Sequence, residues 1–324
     1  MENRCTVFPS PFQTSVPEQY VIVRIVLKTD CHLCRWRKRM KKYGIVDIGS
    51  NTVVLIIYDS VNPVHVQEYY SEPVHLVSYN DNGTMKQEGI EKTLDVLKRY
   101  KSILDAQNVD VYFSFITEPW RNLKNTDEFL SRLSESGFSI DTLSGREEAE
   151  YDFYGSRIDC DDILTGNAFD IGGGSTELIS FQNGVIHEAH SLPAGCVRLS
   201  RMPVTPEVAA GFLNDAFNAC PNLLDTPSDL IIGIGGTCRA CRLLADDLYP
   251  GIPLTVHLVK KLLAGLLNED PATIASMKRV ITPGRWSVLA PGLNMLAAVM
   301  DAYHAENLRV SEGCVREGYL LRHI

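Results

Sequence analysis

The sequence predicts an α/β fold that consists of two related lobes with a cleft between them. One pattern occurs twice, at Gly44–Ile57 and at Phe169–Ile179: an apolar strand reaches Asp-Ile-Gly, crosses a short turn with hydroxyl groups and becomes extended again. Around both copies, apolar runs of strand length alternate with segments of helical periodicity. The chain of 324 residues is long enough for two domains with separate cores. A repeat with so long a period indicates a duplicated architecture.

Lobe I is predicted to comprise residues 40–162. Apolar runs predict its strands at 43–48, 52–58, 64–70, 109–115 and 138–143. Helical spacing and capping residues predict its helices at 88–104, at 126–133 and from Ser144 onward. The last of these helices has acidic residues in its first turn, where the helix dipole favours them. The polar connector from Asp159 to Gly166 sets the boundary of the lobe.

Lobe II is predicted to comprise residues 163–324 and to repeat the plan. Its predicted strands are 166–171, 175–181, 184–191 and 308–310. The run Asp229–Thr237 is predicted to be a further, buried strand that ends in another glycine and hydroxyl turn. The predicted helices are the segment that contains Arg239 and Arg242, and residues 206–218, 256–267, 271–277, 286–304 and 312–322.

Residues 1–39 differ from the rest of the chain. The apolar run Val21–Leu27 precedes a basic cluster, which is the reverse of the order in a signal peptide. Met40 stands just before the first predicted strand, as a natural start would. We therefore predict that residues 1–39 are a disordered upstream extension or the product of a misassigned start.

The composition is that of an ordinary globular protein, with 45% hydrophobic and 22% charged residues. A net charge of -9 argues against general binding to nucleic acid or to anionic membranes. No apolar run approaches the roughly 20 residues that span a bilayer. We therefore expect neither a nucleic-acid partner nor membrane association.

The nine cysteines are odd in number, and the chain is not a small secreted scaffold. Reduced thiols in the cytoplasm are therefore favoured over disulfides. Two Cys-x-x-Cys spacings, Cys31/Cys34 and Cys238/Cys241, are compatible with zinc or redox chemistry. They are far apart and have no accompanying cluster, so buried or incidental cysteine is the preferred interpretation.

The second hairpin carries the residues best suited to phosphate. Three successive glycines permit unusual backbone angles and leave room for a ligand, and their N–H groups can line an anion-binding concavity. Neighbouring hydroxyls add donors. The predicted phosphate-binding residues of this hairpin are Gly172, Gly173, Gly174, Ser175 and Thr176, and those of the later turn are Gly235, Gly236 and Thr237. The alternative is a tight hairpin turn with no ligand.

The duplicated hairpins resemble the two phosphate loops of the actin-like ATPase superfamily, whose lobes are ribonuclease H-like. That resemblance implies a phosphate site between the lobes, with Asp47 and Asp170 facing each other across the cleft and Asn51 near the phosphate. Asp170 and Glu177 offer the hard oxygen ligands that suit Mg²⁺. We predict Asp47, Asp170 and Glu177 as ligands of Mg²⁺ or of another divalent cation.

Two further features suit phosphoryl chemistry. Arg121 follows a strand and could bind phosphate in a bidentate manner, although an ordinary surface arginine is an equal alternative. A carboxylate in the helix start Ser144–Glu150 could orient and deprotonate water. The alternative for that segment is a capped helix with an acidic first turn.

An ordered set of motifs resembles the exopolyphosphatase/guanosine pentaphosphate phosphatase (Ppx/GppA) family in its short two-domain form. The resemblance covers residues 40–324, and its motifs are Gly44–Thr52, Ser144–Ala149, Asp170–Glu177, Gly195–Leu199, Gly233–Ala240, Pro291–Gly292 and Arg309–Gly318.

The family resemblance implies a site and a reaction. Glu148 corresponds to the catalytic base, Asp170 and Glu177 to the acidic residues of the glycine loop, and Arg121 to the arginine that binds phosphate. The implied reaction is metal-assisted hydrolysis of terminal phosphate from inorganic polyphosphate or guanosine pentaphosphate, in a homodimer. The alternatives are an actin-like ATPase or sugar kinase, and a sensor that binds polyphosphate or nucleotide without turnover.

Overall fold

The structure, a computed structural model, describes residues 41–324 except Asn122, together with all side chains in that range except that of Pro119. The predictions for residues 1–39 and for Cys31/Cys34 lie outside the described residues. Among the six described cysteines, which are all free, Cys238 and Cys241 are buried. No helix in the described part of the chain is long and apolar enough to cross a membrane.

Lobe I contains one five-stranded sheet in the order β3-β2-β1-β6-β7, in which β6 and β7 run parallel to β1 and β2 and β3 form an antiparallel meander. Its elements are β1 (Tyr43–Ile48), β2 (Thr52–Val61), β3 (Val64–Pro73), β4 (Asn80–Asp81), β5 (Thr84–Met85), α1 (Gln87–Ala106), β6 (Val111–Ile116), α2 (Thr126–Ser134), β7 (Ile140–Thr142) and α3 (Gly145–Ser156). The small hairpin β4–β5 is not predicted by the sequence, because strands of two residues carry no periodicity.

Lobe II repeats this sheet position by position, in the order β10-β9-β8-β11-β12. Its elements are β8 (Gly166–Ile171), β9 (Thr176–Gln182), β10 (Val185–Leu192), α4 (Cys196–Leu199), α5 (Pro206–Ala219), β11 (Leu230–Ile234), α6 (Gly235–Leu248), α7 (Val256–Leu267), α8 (Pro271–Val280), α9 (Trp286–Ala302), β12 (Asn307–Val310) and α10 (Val315–His323). The identical strand order confirms the predicted duplicated actin-like lobes.

Two helices form a layer between the sheets. Helix α3 contacts β9 and β10 of the second sheet, whereas α10 contacts α3 and β1 of the first sheet. One buried cluster therefore joins side chains of both sheets to the two helices, including Phe115, Phe153, Phe181 and Tyr319. All strands of the first sheet precede the predicted boundary at 162/163 in the sequence, and all strands of the second sheet follow it. Helix α10 follows the boundary too but packs against β1 and α3 of lobe I. The boundary itself stays a prediction.

Glycines allow the two central helices to approach closely. A Cβ atom on Gly318 would lie 1.8 Å from the carbonyl oxygen of Tyr151, and one on Gly155 would lie 2.0 Å from that of Cys314. Real Cβ atoms do not come so close to a backbone oxygen, so the crossing of α3 and α10 requires glycine at both positions. This contact fixes the residues at the start of each helix relative to both sheets.

Helix α10 begins three residues later than predicted. Its preceding segment is held by Asp159, whose carboxylate accepts hydrogen bonds from the Ser311 hydroxyl at 2.7 Å and from the Glu312 backbone N–H at 2.8 Å. These bonds hold the backbone of the segment outside the helix. The same contacts join the connector between the lobes to the end of the second sheet.

Candidate active site

The two glycine hairpins are equivalent and lie against each other. Each is closed by a backbone hydrogen bond of 3.0 Å, from Gly49 to Thr52 in lobe I and from Gly172 to Ser175 in lobe II. A Cβ atom on Gly173 would lie 3.6 Å from that of Ser50, which is van der Waals contact. The hairpins therefore face each other across the boundary between the lobes.

The register of the strands identifies equivalent positions in the two lobes. Asp47 pairs with Val54 across β1 and β2, and Asp170 pairs with Glu177 across β8 and β9. The aspartates are thus equivalent, whereas the glutamate of lobe II corresponds to a valine in lobe I. The two hairpins therefore contribute one acidic pair from lobe II and a single aspartate from lobe I.

The second hairpin is held from behind by helix α4. The backbone N–H groups of Cys196 and Val197 donate to the carbonyl oxygens of Gly172 and Gly173, each at 2.9 Å. A Cβ atom on Gly195 would lie only 2.4 Å from the carbonyl carbon of Gly173. The motif Gly195–Leu199 therefore supports the back of the glycine loop.

Several predicted phosphate ligands already have partners. The hydroxyls of Thr176 and Thr237 donate to backbone carbonyl oxygens of lobe II, each at 2.8 Å. The Asn51 side-chain oxygen lies 2.5 Å from Nδ1 of His75. Ser175 is buried at the base of the hairpin. The contacts of these residues with phosphate stay predictions, as do those of Gly235 and Gly236 at the start of α6.

Glu148 lies in the first turn of α3 and is nearly buried, with 12% of its side chain exposed. Ser144 caps this helix, and Glu147 completes a reciprocal capping box. Both interpretations of this segment therefore hold: Glu147 caps the helix, and the carboxylate of the adjacent Glu148 points inward. The pKa of Glu148 is raised to about 7: burial raises it most, the charge and hydrogen bond of Arg121 oppose that rise, and nearby Asp170 and Asp47 add to it.

Arg121 is brought to the site by the turn after β6. Its Nη2 donates to a carboxylate oxygen of Glu148, and its Nε donates to the carbonyl oxygen of Leu143 at 3.2 Å. A third, longer contact of 3.4 Å reaches the hydroxyl of Ser191 in lobe II. The structure thus brings Arg121 and Glu148 together, and their roles in catalysis and phosphate binding stay predictions.

Two important residues of the site were missed from the sequence. Asp152 lies one turn after Glu148 on the same face of α3, and its Oδ1 accepts the N–H of Val315 at 2.7 Å. Arg316, at the start of α10, donates to Asp47 at 3.0 Å. The sequence did contain a signal for each. Asp152 follows Glu148 at a spacing of four residues, and Arg316 lies within the motif Arg309–Gly318.

The acidic side chains share one buried environment. Burial raises the pKa values of Asp47 and Asp170 and raises those of Glu177 and Asp152 well above the usual range. Mutual repulsion adds to the effect for Glu177 and Asp152, which interact with Asp170 and Glu148. The site therefore favours the binding of a cation, or the protonated form of some of these carboxyl groups.

A divalent cation would fit one edge of this cluster. Oδ1 of Asp170 is buried and has no hydrogen-bond partner in the described structure. Asp47 is engaged by Arg316, and Glu177 accepts a bond from Ser191 at 2.7 Å. Within residues 41–324, Asn122 aside, no three His, Cys, Asp or Glu side chains form a ready metal site. The predicted three-carboxylate ligand set stays a prediction.

Comparisons with known proteins agree with this architecture. A family model described as the Ppx/GppA phosphatase family matches residues 73–324. Exopolyphosphatase 1 of Mycobacterium tuberculosis is 26% identical over 307 residues, which cover 87% of this chain and 88% of the relative. The guanosine-5'-triphosphate,3'-diphosphate pyrophosphatase of Vibrio cholerae is 25% identical over 296 residues, covering 85% of this chain and 58% of that protein.

A solved structure gives the same result. The crystal structure of a Ppx/GppA family member from Aquifex aeolicus aligns with a TM-score of 0.72 and 25% identity, covering 87% of this chain and 97% of the other. The family match and the two named relatives, an exopolyphosphatase and a guanosine-5'-triphosphate,3'-diphosphate pyrophosphatase, indicate a phosphoanhydride hydrolase. The chain belongs to the Ppx/GppA phosphatase family.

Proposed function

We propose that the protein removes terminal phosphate from guanosine pentaphosphate, from inorganic polyphosphate or from both, with Glu148 as the general base. The observation that carries this proposal is the nearly buried Glu148 carboxyl, which interacts with Asp47 and Asp170 of the two glycine hairpins and whose pKa is raised to about 7. A base whose pKa is close to neutrality is well suited to take a proton from water at physiological pH. The names of the two relatives supply both substrate classes.

The residues of the site divide the work of hydrolysis. The backbone amides of the glycine hairpins and the guanidinium of Arg121 bind and orient the terminal phosphoryl group. Glu148 holds a water molecule for in-line attack and accepts its proton. The bond between the terminal phosphorus and the bridging oxygen breaks, and the shortened phosphate chain leaves. Arg316, paired with Asp47, adds positive charge next to the two hairpins.

Asp170 and Glu177 would hold Mg²⁺ or another divalent cation. The unpartnered oxygen of Asp170 supports this assignment, and Mg²⁺ commonly uses one or two protein carboxylates together with substrate phosphates. When bound, such a cation neutralises phosphate charge. A ready three-carboxylate site would not be required of the protein alone, because substrate phosphates would supply part of the ligand set.

Release of inorganic phosphate tests the proposal. Long polyphosphate, short polyphosphate, guanosine pentaphosphate and ATP are compared with Mg²⁺ and with a chelator. We expect release from a polyphosphate or from guanosine pentaphosphate, and loss of release with the chelator. Turnover of ATP that depends on a sugar acceptor, or binding without release from any substrate, would contradict the proposal and favour a kinase or a sensor.

The proposed cation ligand has a matched test. Asp170→Asn keeps the size of the side chain and removes its charge, so it should raise the Mg²⁺ concentration needed for half-maximal activity at least tenfold. Asp246→Asn makes the same change at an exposed position of α6 and should leave this concentration unchanged. An unchanged Mg²⁺ requirement in Asp170→Asn would remove Asp170 from the ligand set. We also propose a cytoplasmic location, because the cysteine content favours reduced thiols, and a homodimer, because the family resemblance implies one.

A further inference from the structure

The carboxylate of Glu118 lies between the two glycine hairpins. Glu118 belongs to the short turn after β6, and its side chain is only 11% exposed. Its Oε2 accepts a hydrogen bond from the hydroxyl of Ser50, in the first hairpin, at 2.8 Å. Its Oε1 accepts one from Nη2 of Arg198, in helix α4 behind the second hairpin, at 2.8 Å. Each lobe therefore donates one hydrogen bond to the same carboxylate.

The second hairpin also lies against this carboxylate. A Cβ atom on Gly174 would lie 2.1 Å from Oε2 of Glu118 and 2.6 Å from its carboxylate carbon. Because Gly174 has no side chain, space for a small anion is left between the hairpins, and the carboxylate fills that space. A methyl group at this position would take up the same space.

The groups that surround the carboxylate are typical partners of phosphate. Serine hydroxyls, arginine guanidiniums and the backbone of glycine-rich turns all bind phosphate oxygens. The Nε and Nη2 atoms of an arginine form one edge that can bind an oxyanion in a bidentate manner. In Arg198, Nη2 binds Glu118, whereas Nε is buried and has no hydrogen-bond partner in the described structure. Glu118 therefore uses only half of this edge.

A phosphate and the Glu118 carboxylate exclude each other from this position. The hydroxyl of Ser50 has a single proton to donate, so it cannot serve both anions. Two negative charges in contact also repel each other strongly at a poorly hydrated site. Glu118 and Arg198 line a cavity of about 300 Å³, which leaves the carboxylate room to turn away from the hairpins.

We propose that Glu118 is a built-in competitor of the substrate: its carboxylate occupies the position of a substrate phosphate between the hairpins and leaves when that phosphate binds. Glu118 thus sets the affinity of the site for phosphate chains. The inference rests on the function proposed above, since it takes the hairpins as the phosphate site. A glutamate that only clamped the lobes together would have the opposite effect, because its loss would weaken substrate binding.

Binding of methylenediphosphonate, a pyrophosphate analogue that is not hydrolysed, tests the inference without turnover. Glu118→Gln keeps the shape of the side chain and removes its charge, so we expect the Kd measured by calorimetry to fall at least tenfold. Glu135→Gln is the control, because Glu135 is an exposed glutamate that also pairs with an arginine, Arg132, at 2.6 Å. This control should keep the wild-type Kd. An unchanged or higher Kd in Glu118→Gln would overturn the inference.

Hydrolysis gives a second measurement. In Glu118→Gln we expect KM for inorganic tripolyphosphate to fall at least tenfold, with no decrease in kcat. A higher KM would show that Glu118 supports substrate binding, and the inference would fail. If the wild-type protein hydrolyses no phosphate chain but Glu118→Gln still binds methylenediphosphonate more tightly, the hydrolytic function fails and the role of Glu118 stands.

A crystal structure of the wild-type protein with methylenediphosphonate gives a decision that requires no variant. We expect phosphonate oxygens to accept hydrogen bonds from Ser50 and Arg198, with the carboxylate of Glu118 turned away from both. A phosphonate bound at the hairpins while both hydrogen bonds of Glu118 remain would refute the competition.

Discussion

Arg121, in the turn after β6, the middle one of the three parallel strands of lobe I, donates a hydrogen bond to the buried carboxylate of Glu148 at the start of helix α3. The two side chains are 16% and 12% exposed, so water screens their interaction poorly. Burial and neighbouring acids hold the pKa of Glu148 high, and the guanidinium opposes them. The balance of these effects places the proposed base near neutrality.

The first prediction concerns the pH dependence of hydrolysis. The pKa of the Glu148 carboxyl is raised to about 7, and only its deprotonated form can accept a proton from water. We expect kcat/KM to rise tenfold for each pH unit below about 7 and to level off above it. A profile measured from pH 5 to 9 checks this. A flat profile across that range would exclude Glu148 as the titrating base.

The second prediction removes the cation beside the base. In Arg121→Gln the apparent pKa seen in the pH profile should rise, because a positive charge that favours the carboxylate has been lost. KM should also rise, since Arg121 is proposed to bind the terminal phosphate. Arg146→Gln is the control, because Arg146 is exposed and pairs with Glu150 and Glu188 on the outside of α3. An apparent pKa that stays or falls in Arg121→Gln would contradict the assignment.

The third prediction concerns stability. The pKa of Asp152 in the folded protein is well above the 3.8 expected for a free aspartate, because the side chain is buried among other acids. The unfolded chain releases this proton more readily, so the group destabilises the folded protein progressively as pH rises above about 3.8.

Asp152→Asn removes that titration. We expect it to increase the free energy of unfolding at pH 8 and to have little effect below pH 4. Denaturant unfolding at the two pH values measures the difference. Asp246→Asn, at an exposed position, should show neither effect. Destabilisation by Asp152→Asn at pH 8 would show that the charged carboxylate is needed by the fold.

The fourth prediction concerns the contact between the lobes. A Cβ atom on Gly174 would lie 2.1 Å from Oε2 of Glu118 and 2.8 Å from Oγ of Ser50. Gly174→Ala must therefore displace the Glu118 carboxylate and the Ser50 hydroxyl, whose hydrogen bond lies at the contact between the hairpins, and we expect kcat/KM to fall by up to about 10²-fold. Gly211→Ala meets nothing within 4 Å in helix α5 and should instead stabilise the protein by about 0.5–1 kcal/mol. Unchanged kinetics in Gly174→Ala would show that the contact is dispensable.

Much of the fold was predictable because its signals are local. Strand and helix periodicity gave β1, β8, α7 and most other elements within a few residues, and the repeated Asp-Ile-Gly pattern gave the duplication. The packing of α10 against the first sheet was not predictable, because the apolar face of a helix does not indicate which of the two sheets it will pack against. In the structure, the close approach at Gly155 and Gly318 holds α10 against α3, and a hydrogen bond from Arg316 to Asp47 joins α10 to the first sheet.

The site was partly predictable for the same reason. Glu148, Asp170 and Glu177 lie in recognisable motifs, whereas the partnership of Glu118 with Arg198 joins residues 80 positions apart in sequence. No local pattern links that pair. The hydroxyls of Thr176 and Thr237 also illustrate a limit of motifs, because their residue types suit phosphate but their hydrogen bonds go to the backbone.

The most direct measurement compares Glu148→Gln with Glu147→Gln. Both changes convert a glutamate to its amide in the first turn of α3, but Glu147 is exposed and its capping role is one that glutamine also fills. With guanosine pentaphosphate or short polyphosphate, Glu148→Gln should lower kcat by about 10²–10⁴-fold while the protein remains folded. Glu147→Gln should retain near-normal turnover. Near-normal turnover in Glu148→Gln would contradict the central claim that this carboxylate is the base.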